Sequence, residues 1–400
     1  MSNGEPQIFS HPRHVESLAK GNIHFVLKFY KQCVNDSTEN ALLSPLSVSM
    51  ALAMVSIGAR GDTAARLREV LCLGVEDVNI HAALNDVLES FRSSFGLNLH
   101  TLNRVYVHEE LKLQPEFIRQ LGKYYCSNLI RFNFGHDAER ARLEVNHDIV
   151  DTTQWKVRDL IGRGQVNAYT RLLAVSSLYF KGEWGSKFKP MQTKVSNFHL
   201  GISGRTIAVD MMQQRAEFRI AVCDEVDSTI VELPFSSQRI SMYVFLPKDA
   251  SGLALLESKL TPDVLTAIFA GMRRARVTVT LPRFRLSSCY CLQDSLAALG
   301  LANLFHPGEA DLGAMAASSS TGDNSHGMHI GGLLLKTYVD VNEEGSEASS
   351  AAALCVTTAT IRAEPEFTQY FVADHPFLFM IRDNLSGLIL FVGRLVSPTK

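Results

Sequence analysis

Residues 341–353 read Val341-Asn-Glu-Glu-Gly-Ser-Glu-Ala-Ser-Ser-Ala-Ala-Ala353, and this stretch decides the fold. After two acids and a glycine, seven of the next eight residues are Ser or Ala. Alternate positions from Ser346 to Thr358 carry only residues that a sheet face can bury, whereas the other parity carries Glu347. A surface loop needs no such pattern. A loop that later becomes a central strand does need it, because large or charged inward side chains would block its insertion.

Motifs along most of the chain resemble those of the serpin family. Residues 341–348 resemble the hinge of the reactive-centre loop in inhibitory serpins, and residues 371–383 and 390–398 resemble the family's carboxyl-terminal signature and closing strand. Further fragments match in order and spacing: Asn40-Ala-Leu-Leu-Ser-Pro-Leu-Ser47, Ser177-Leu-Tyr-Phe-Lys-Gly-Glu-Trp184, Val231-Glu-Leu-Pro-Phe235, Ser241-Met-Tyr-Val-Phe-Leu-Pro247, Leu281-Pro-Arg-Phe284 and Ala310-Asp-Leu-Gly313. Each fragment alone is weak, but together they are specific.

The resemblance implies an α+β fold with three β-sheets, about eight or nine helices and an exposed reactive-centre loop at about 343–370. It implies one serpin domain over residues 1–400. It also implies a serine protease inhibitor that acts as a suicide substrate: the protease cleaves the loop, the loop inserts into the main sheet, and the acyl-enzyme stays covalently trapped.

The hinge that must insert comprises residues Glu343, Glu344, Gly345, Ser346, Glu347, Ala348, Ser349, Ser350 and Ala351. The resemblance places the shutter and breach, where the sheet opens, at Ser44, Ser47, Ser176, Trp184 and Leu335. Relatives usually have asparagine at Ser176 and histidine at Leu335, and tryptophan at Asp148. Because both shutter partners differ, the energetics of sheet opening stay an open question, and a non-inhibitory carrier, chaperone or storage protein is the alternative function.

Two scissile bonds are compatible with the loop. A count of fourteen residues from Gly345, as in inhibitory relatives, gives Ala359–Thr360 and an elastase-like target. Arg362–Ala363 is the alternative, because Arg362 is the one basic residue in the loop and suits a trypsin-like pocket. Counting back from Pro376 favours the second site, whereas the insertion mechanism constrains the hinge side and favours the first.

Composition and motifs argue against other classes of function. The net charge of −2 indicates no general attraction to nucleic acid or anionic membranes, and no apolar run approaches a bilayer span. The G-x-S-x-G, Walker and H-E-x-x-H motifs are absent from the sequence, so we expect no enzyme, no metal site and no cofactor. We expect a monomer whose partner is an elastase-like or trypsin-like serine protease.

The amino-terminal residues and the cysteines bear on the compartment. The first ten residues lack the basic and apolar regions of a signal peptide. Seven cysteines, an odd number without disulfide-framework spacing, suggest reduced thiols. We therefore expect a cytoplasmic protein, or a secreted one if a signal peptide has been removed.

Local patterns predict several elements. Ser44-Pro45 is typical of a helix start, with a hydroxyl cap followed by proline in the first turn. The apolar run 172–180 predicts a covered strand, 277–286 a further strand, and 261–272 a helix.

A basic cluster could bind a cofactor. Arg273, Arg274 and Arg276 follow the predicted helix directly, with Arg283 and Arg285 close in sequence. Some relatives use basic helices to bind sulfated polysaccharide, so a glycosaminoglycan is a possible ligand. The alternative is a solvated helix end whose basic residues complement the helix dipole.

Overall fold

The computed structural model of the chain describes residues 9–34, 38–73, 79–93, 98–125, 129–152, 158–167, 170–201, 204–316, 328–346 and 368–398. Helices dominate the first part of these residues and strands the later part. The predicted α+β class is confirmed.

The described residues form nine α-helices, several of which pack against the sheets. They are α1 (Pro12–Val34), α2 (Pro45–Ser56), α3 (Gly61–Val70), α4 (Ile80–Arg92), α5 (Pro115–Tyr125), α6 (Ala138–Thr152), α7 (Leu253–Lys259), α8 (Pro262–Gly271) and α9 (Gln293–Leu296). Short 3-10 or π turns occupy Pro190–Gln192, Ala297–Leu301 and Ala302–Phe305.

The strands of the described residues lie mostly after α6 in the chain. They are β1 (Ala41–Leu43), β2 (Asn98–His108), β3 (Leu129–Phe132), β4 (Leu172–Glu183), β5 (Lys194–His199), β6 (Thr206–Cys223), β7 (Ser228–Pro234), β8 (Ile240–Pro247), β9 (Arg273–Pro282), β10 (Phe284–Cys291), β11 (Gly332–Val341), β12 (Gly345–Ser346), β13 (Gln369–Val372), β14 (Phe377–Asp383) and β15 (Ile389–Leu395).

The smaller sheet, here called the central sheet, has the strand order β10-β11-β12-β4-β2-β3. β10 runs antiparallel to β11, and β2 antiparallel to β4. The short strand β12 lies between β11 and β4, the two strands between which a reactive loop would insert. The centre of the sheet is therefore where the candidate site must be sought.

The larger sheet has the order β1-β15-β14-β8-β7-β6-β9-β13, with β5 paired to β6 as well. The first part of β6 pairs with β5 and its last part with β7, while β9 pairs along the middle. Because β6 continues from one group of strands to the other, the three sheets of the prediction form two hydrogen-bonded ladders in the described residues.

Helix α2 illustrates how local sequence and burial agree. Ser44 caps it with its hydroxyl, which accepts a hydrogen bond from the Ser47 amide, and Pro45 opens the first turn as predicted. Residues Pro45–Val55 are all buried, so this helix passes through the core instead of covering it. No helix in the described ranges is long and apolar enough to cross a bilayer.

Two sequence predictions need correction in their bounds. The strand predicted at 277–286 is two strands, because the chain leaves β9 of the larger sheet at Pro282 and joins β10 of the central sheet at Phe284. The helix predicted at 261–272 is α8, which ends at Gly271. Arg273, Arg274 and Arg276 consequently lie on β9 and not at a helix end.

Candidate functional site: the opening in the central sheet

Gly345 and Ser346 of the hinge form β12, which lies between two strands of the central sheet. Ser346 lies opposite Val341 of β11 on one side and opposite Gly182 of β4 on the other, and both pairings are antiparallel. Gly345 pairs with Glu183. At this end of the sheet β11 and β4 are therefore separated by the width of one strand.

At the opposite end, β11 and β4 pair directly. Gly332–Leu334 lie parallel to Leu173–Val175 over three rungs. Between these rungs and β12 lie the facing edges 335–340 of β11 and 176–181 of β4. These edges have no strand partner on that side among the described residues. The central sheet thus widens from a closed end to an end that already admits β12.

Gly345 fits where no other residue would. Its φ of +149° lies in the region that favours glycine. A Cβ there would collide with the Gly182 carbonyl oxygen and lie 2.6 Å from the Glu183 Cα atom. The glycine therefore lets the hinge backbone press against β4.

Glu343 is the buried anchor of the hinge, with only 4% of its surface exposed. The Thr193 hydroxyl donates to its carboxylate at 2.5 Å, and the Arg283 Nε donates at 2.6 Å. Burial opposes ionisation, but these hydrogen bonds outweigh it and hold the pKa of Glu343 below its usual value. The carboxylate is thus charged and fixed at the base of the loop.

Trp184 contacts the backbone on both sides of Glu343. Its indole Nε1 donates to the Asn342 carbonyl at 2.8 Å, and its amide donates to the Glu344 carbonyl at 2.9 Å. The ring stacks on Phe235 with a centroid distance of 4.6 Å. The residues before β12 are consequently fixed by backbone contacts at the predicted breach tryptophan.

A neighbouring lysine adds an exposed electrostatic contact. Lys187 Nζ lies 2.7 Å from a Glu344 carboxylate oxygen and 3.0 Å from one of Glu183. Hydrogen bonds to these two carboxylates, that to Glu344 first, raise the pKa of Lys187. The contact joins the hinge to the end of β4.

The shutter residues lie beneath the sheet. The Ser44 hydroxyl donates to the Leu390 carbonyl at 3.0 Å and lies 2.9 Å from the Ser47 hydroxyl. Leu335 is buried among apolar side chains. Nothing in the described side chains bears on Ser176, so its predicted role stays a prediction.

The sequence reasoning missed Thr337 as a polar contact beneath the sheet. Its fully buried hydroxyl donates to the Leu42 carbonyl at 2.7 Å. It also missed Thr193 and Arg283 as partners of Glu343. The sequence signal for Thr337 was the alternation of residues along β11, which places this polar side chain on the buried face of the strand.

The basic cluster does not form one patch. Alternation along β9 directs Arg274 and Arg276 to one face and Arg273 to the other, and Arg276 lies opposite Glu217 of β6. Arg283 binds Glu343, and Arg285 pairs with Asp340 at 2.7 Å. The predicted polysaccharide site at Arg273, Arg274 and Arg276 therefore lies on an extended strand, and Arg283 and Arg285 are each engaged by a carboxylate.

The remaining predicted site residues lie outside the described residues. They are the hinge residues Glu347, Ala348, Ser349, Ser350 and Ala351 and the candidate bonds Ala359–Thr360 and Arg362–Ala363. In the described part of the chain, no group of three His, Cys, Asp or Glu side chains could hold a metal ion. Cys33, Cys72, Cys223, Cys289 and Cys291 are free thiols.

Comparison with curated proteins finds relatives that match over nearly the whole length. Leukocyte elastase inhibitor of Xenopus tropicalis is 34% identical over 96% of this chain and all of its own length. Ipis-1 of Ixodes persulcatus is 35% identical over 94% of this chain and 98% of its own. Human Serpin B8 is 33% identical over 96% of this chain and all of its own length.

Solved structures agree with these sequence relatives. Uncleaved ovalbumin superposes with a TM-score of 0.83 at 27% identity, over 95% of this chain and all of its own. Serpin48 of the insect Tenebrio molitor gives a TM-score of 0.83 at 28% identity, over 99% of this chain and all of its own. The family model described as Serpin (serine protease inhibitor) matches residues 20–398, and the chain belongs to the serpin family.

Proposed function

We propose that this serpin inhibits a serine protease as a suicide substrate, by inserting its cleaved loop into the central sheet. The observation that carries the proposal is the position of β12, whose Ser346 is paired on both sides at the open end of the sheet. The first residues of the hinge thus occupy the register that an inserted strand would continue. One domain over residues 1–400, acting as a monomer, is part of the proposal.

The register of β12 can be continued into the hinge. Opposite β11, the residues after Ser346 face Asp340 to Leu335 in turn, which accommodates the six residues 347–352. Ala348, Ser350 and Ala352 then fall opposite Val339, Thr337 and Leu335, which are all buried. The small side chains of the hinge therefore fall on the buried face of the sheet, where a large side chain would not fit.

The other parity of the hinge falls on the outer face. Glu347, Ser349 and Ala351 come opposite Asp340, Tyr338 and Lys336, which are each partly exposed. Opposite β4, Glu347 falls beside Lys181. Glu347, the one charge among residues 346–352, thus meets solvent and a cation rather than the core.

Further insertion requires the closed end to open. Residues 353–355 would have to enter between the two segments that now pair directly, Gly332–Leu334 and Leu173–Val175. The three rungs must part before the strand can extend, so loop cleavage has to supply the driving force. Separation of these rungs is the proposed committed step.

The scissile bond is proposed at Ala359–Thr360, with Arg362–Ala363 as the alternative. An elastase-like target suits Ala359, and relatives named leukocyte elastase inhibitor support that class. A trypsin-like target suits Arg362. Binding of a sulfated polysaccharide at Arg273, Arg274 and Arg276 stays a prediction.

Covalent trapping tests the function. Mixed separately with an elastase-like and a trypsin-like serine protease, the protein should form a complex that survives boiling in detergent, because the acyl bond remains intact. Denaturing gel electrophoresis with mass spectrometry of the complex detects it. Complete loop cleavage without such a complex by either class would instead favour the non-inhibitory alternative, for which the apolar, buried Leu335 at the shutter is the motivating observation.

The scissile bond is tested by the released carboxyl-terminal peptide and by Arg362→Ala. Starts at Thr360 and Ala363 differ by Thr360, Ile361 and Arg362, which intact mass resolves. If the bond is Ala359–Thr360, Arg362→Ala should leave elastase-like inhibition within about twofold of wild type, because the primary pocket does not bind Arg362. Loss of all inhibition in Arg362→Ala would move the bond to Arg362–Ala363.

A further inference from the structure

Helix α6 and residues 158–161 lie together across the outer face of the central sheet, and we call this unit the strap. Arg142 Nη1 and Asn146 Nδ2 of α6 each donate to the Ile161 carbonyl at 2.9 Å, and the Ile161 amide donates to the Asn146 side-chain oxygen at 2.8 Å. These buried bonds make α6 and the following segment one mechanical unit.

One end of the strap is anchored to β2. Asp148 of α6 forms an ion pair with Arg104, and the Tyr106 hydroxyl donates to the same carboxylate at 3.0 Å. Arg104 and Asp148 are mostly covered, with 21% and 30% of their side chains exposed. The anchor is therefore a charge-assisted contact between the helix and the sheet.

The other end is anchored on the far side of the opening. The Lys336 ammonium of β11 donates to the Arg158 carbonyl, and the Cys289 thiol of β10 lies 4.0 Å from the Leu160 carbonyl oxygen. Since β2 is hydrogen-bonded to β4, and β10 to β11, the two anchors belong to the two halves of the sheet that must part.

The strap crosses the sheet at its closed rungs. Arg104 pairs with Val175, Val175 with Leu334, and Leu334 with Cys291. Val175 and Leu334 belong to the apolar cluster that includes Val145 and Ile149 of α6. Admitting one strand moves the halves apart by about 4.8 Å, which a doubly anchored strap cannot follow without releasing one end.

We infer that the Asp148–Arg104–Tyr106 contact is a releasable anchor of the strap and sets how fast the sheet admits the cleaved loop. The inference rests on the proposed inhibitory function. Slow opening gives the protease time to finish hydrolysis and leave, whereas fast opening traps it. Asp148 is thus a positioning residue for trapping, which acts through its contacts with Arg104 and Tyr106 of β2.

Asp148→Ala should open the sheet about threefold to tenfold faster, as expected for losing one partly covered charge-assisted contact before the transition state. Insertion is measured at saturating protease by stopped-flow fluorescence in a Trp155→Phe background, in which Trp184, bonded to the hinge at Asn342, is the one tryptophan of the chain. The number of inhibitor molecules cleaved per protease trapped gives the partition. This ratio should be lower for Asp148→Ala than for wild type, unless the wild-type ratio already has its minimum value of one.

Two controls separate the anchor from general effects. Glu144→Ala removes an exposed ion pair with Arg140 on the same helix, away from the sheet, and should leave insertion unchanged. Glu257→Gln weakens a covered ion pair with Arg394 outside the central sheet and should lower stability without changing the insertion rate. A variant that is merely less stable is thereby distinguished from one in which the strap is released.

A double variant tests the same inference if Asp148→Ala alone does not fold. Arg104→Met with Asp148→Leu removes both charges while keeping apolar contact, and it should also accelerate insertion. Wild-type insertion rates in both the single and the double variant would overturn the inference, as would equal acceleration in Glu144→Ala or Glu257→Gln. Absence of trapping in wild type would be a failure of the proposed function itself.

Discussion

Cleavage of the loop should raise the unfolding temperature of this protein by on the order of 20 °C. Continuing the β12 register places six residues, 347–352, between the facing edges 335–340 and 176–181. Each gains up to two backbone hydrogen bonds, each of which contributes about 1 kcal/mol. Because about 1 kcal/mol shifts the midpoint by about 1 to 2 °C in a protein of this size, the effect is large.

The measurement compares intact and loop-cleaved protein by calorimetry or circular dichroism. The loop can be cut by any protease that cleaves between Ala353 and Phe367, since trapping is not needed. The cost of ordering the strand offsets part of the gain, but burial of the small inward side chains adds to it. A carrier or storage protein whose loop stays outside the sheet should show a shift of a few degrees at most.

The sequence predicted the part of the site that depends on local pattern. Alternation of small residues after Gly345 predicted a strand-compatible hinge, and the register of Ser346 between Val341 and Gly182 agrees with it. Ser44-Pro45 predicted a helix start because capping needs only neighbouring residues. Both signals lie within a few residues of the structure that they specify.

Contacts between distant segments could not be predicted in this way. Glu343 meets Thr193 and Arg283, which are 150 and 60 residues away, and no local pattern pairs them. The strand predicted at 277–286 was wrong in one respect for the same reason, since an extended run does not show that the chain changes sheets at Arg283. Contacts between distant segments therefore have to be read from the three-dimensional structure, because local propensity does not specify them.

The role of Asp148 is a similar case. In the sequence it was only a departure from the usual tryptophan. The structure puts it against Arg104, 44 positions away on β2, and above the rungs that must separate. A residue that weakens the resemblance to the family thus supplies a charge-assisted contact between α6 and the sheet in this chain.

Ser350→Arg should convert the protein from inhibitor to substrate, with trapping reduced at least about tenfold. The β12 register places position 350 opposite Thr337, which is fully buried beneath the sheet. An unpaired guanidinium at that position costs several kcal/mol, which opposes insertion before the protease completes hydrolysis. Native stability should change little, because the proposed mechanism brings position 350 into the sheet only after cleavage.

Ser349→Arg is the matched control, since it makes the same substitution one residue earlier. The register places position 349 opposite Tyr338, which is partly exposed on the outer face, so its guanidinium can remain in water. Trapping by Ser349→Arg should therefore stay within about threefold of wild type. Both variants are titrated against a fixed amount of the active protease that wild type traps. The cleaved and the covalently bound forms are then quantified on denaturing gels. Equal trapping by both variants, or a greater loss in Ser349→Arg, would mean that the inserted strand does not continue the register of Ser346. The rise in unfolding temperature after cleavage should likewise survive in Ser349→Arg and be largely lost in Ser350→Arg, because the same buried position controls insertion in both measurements.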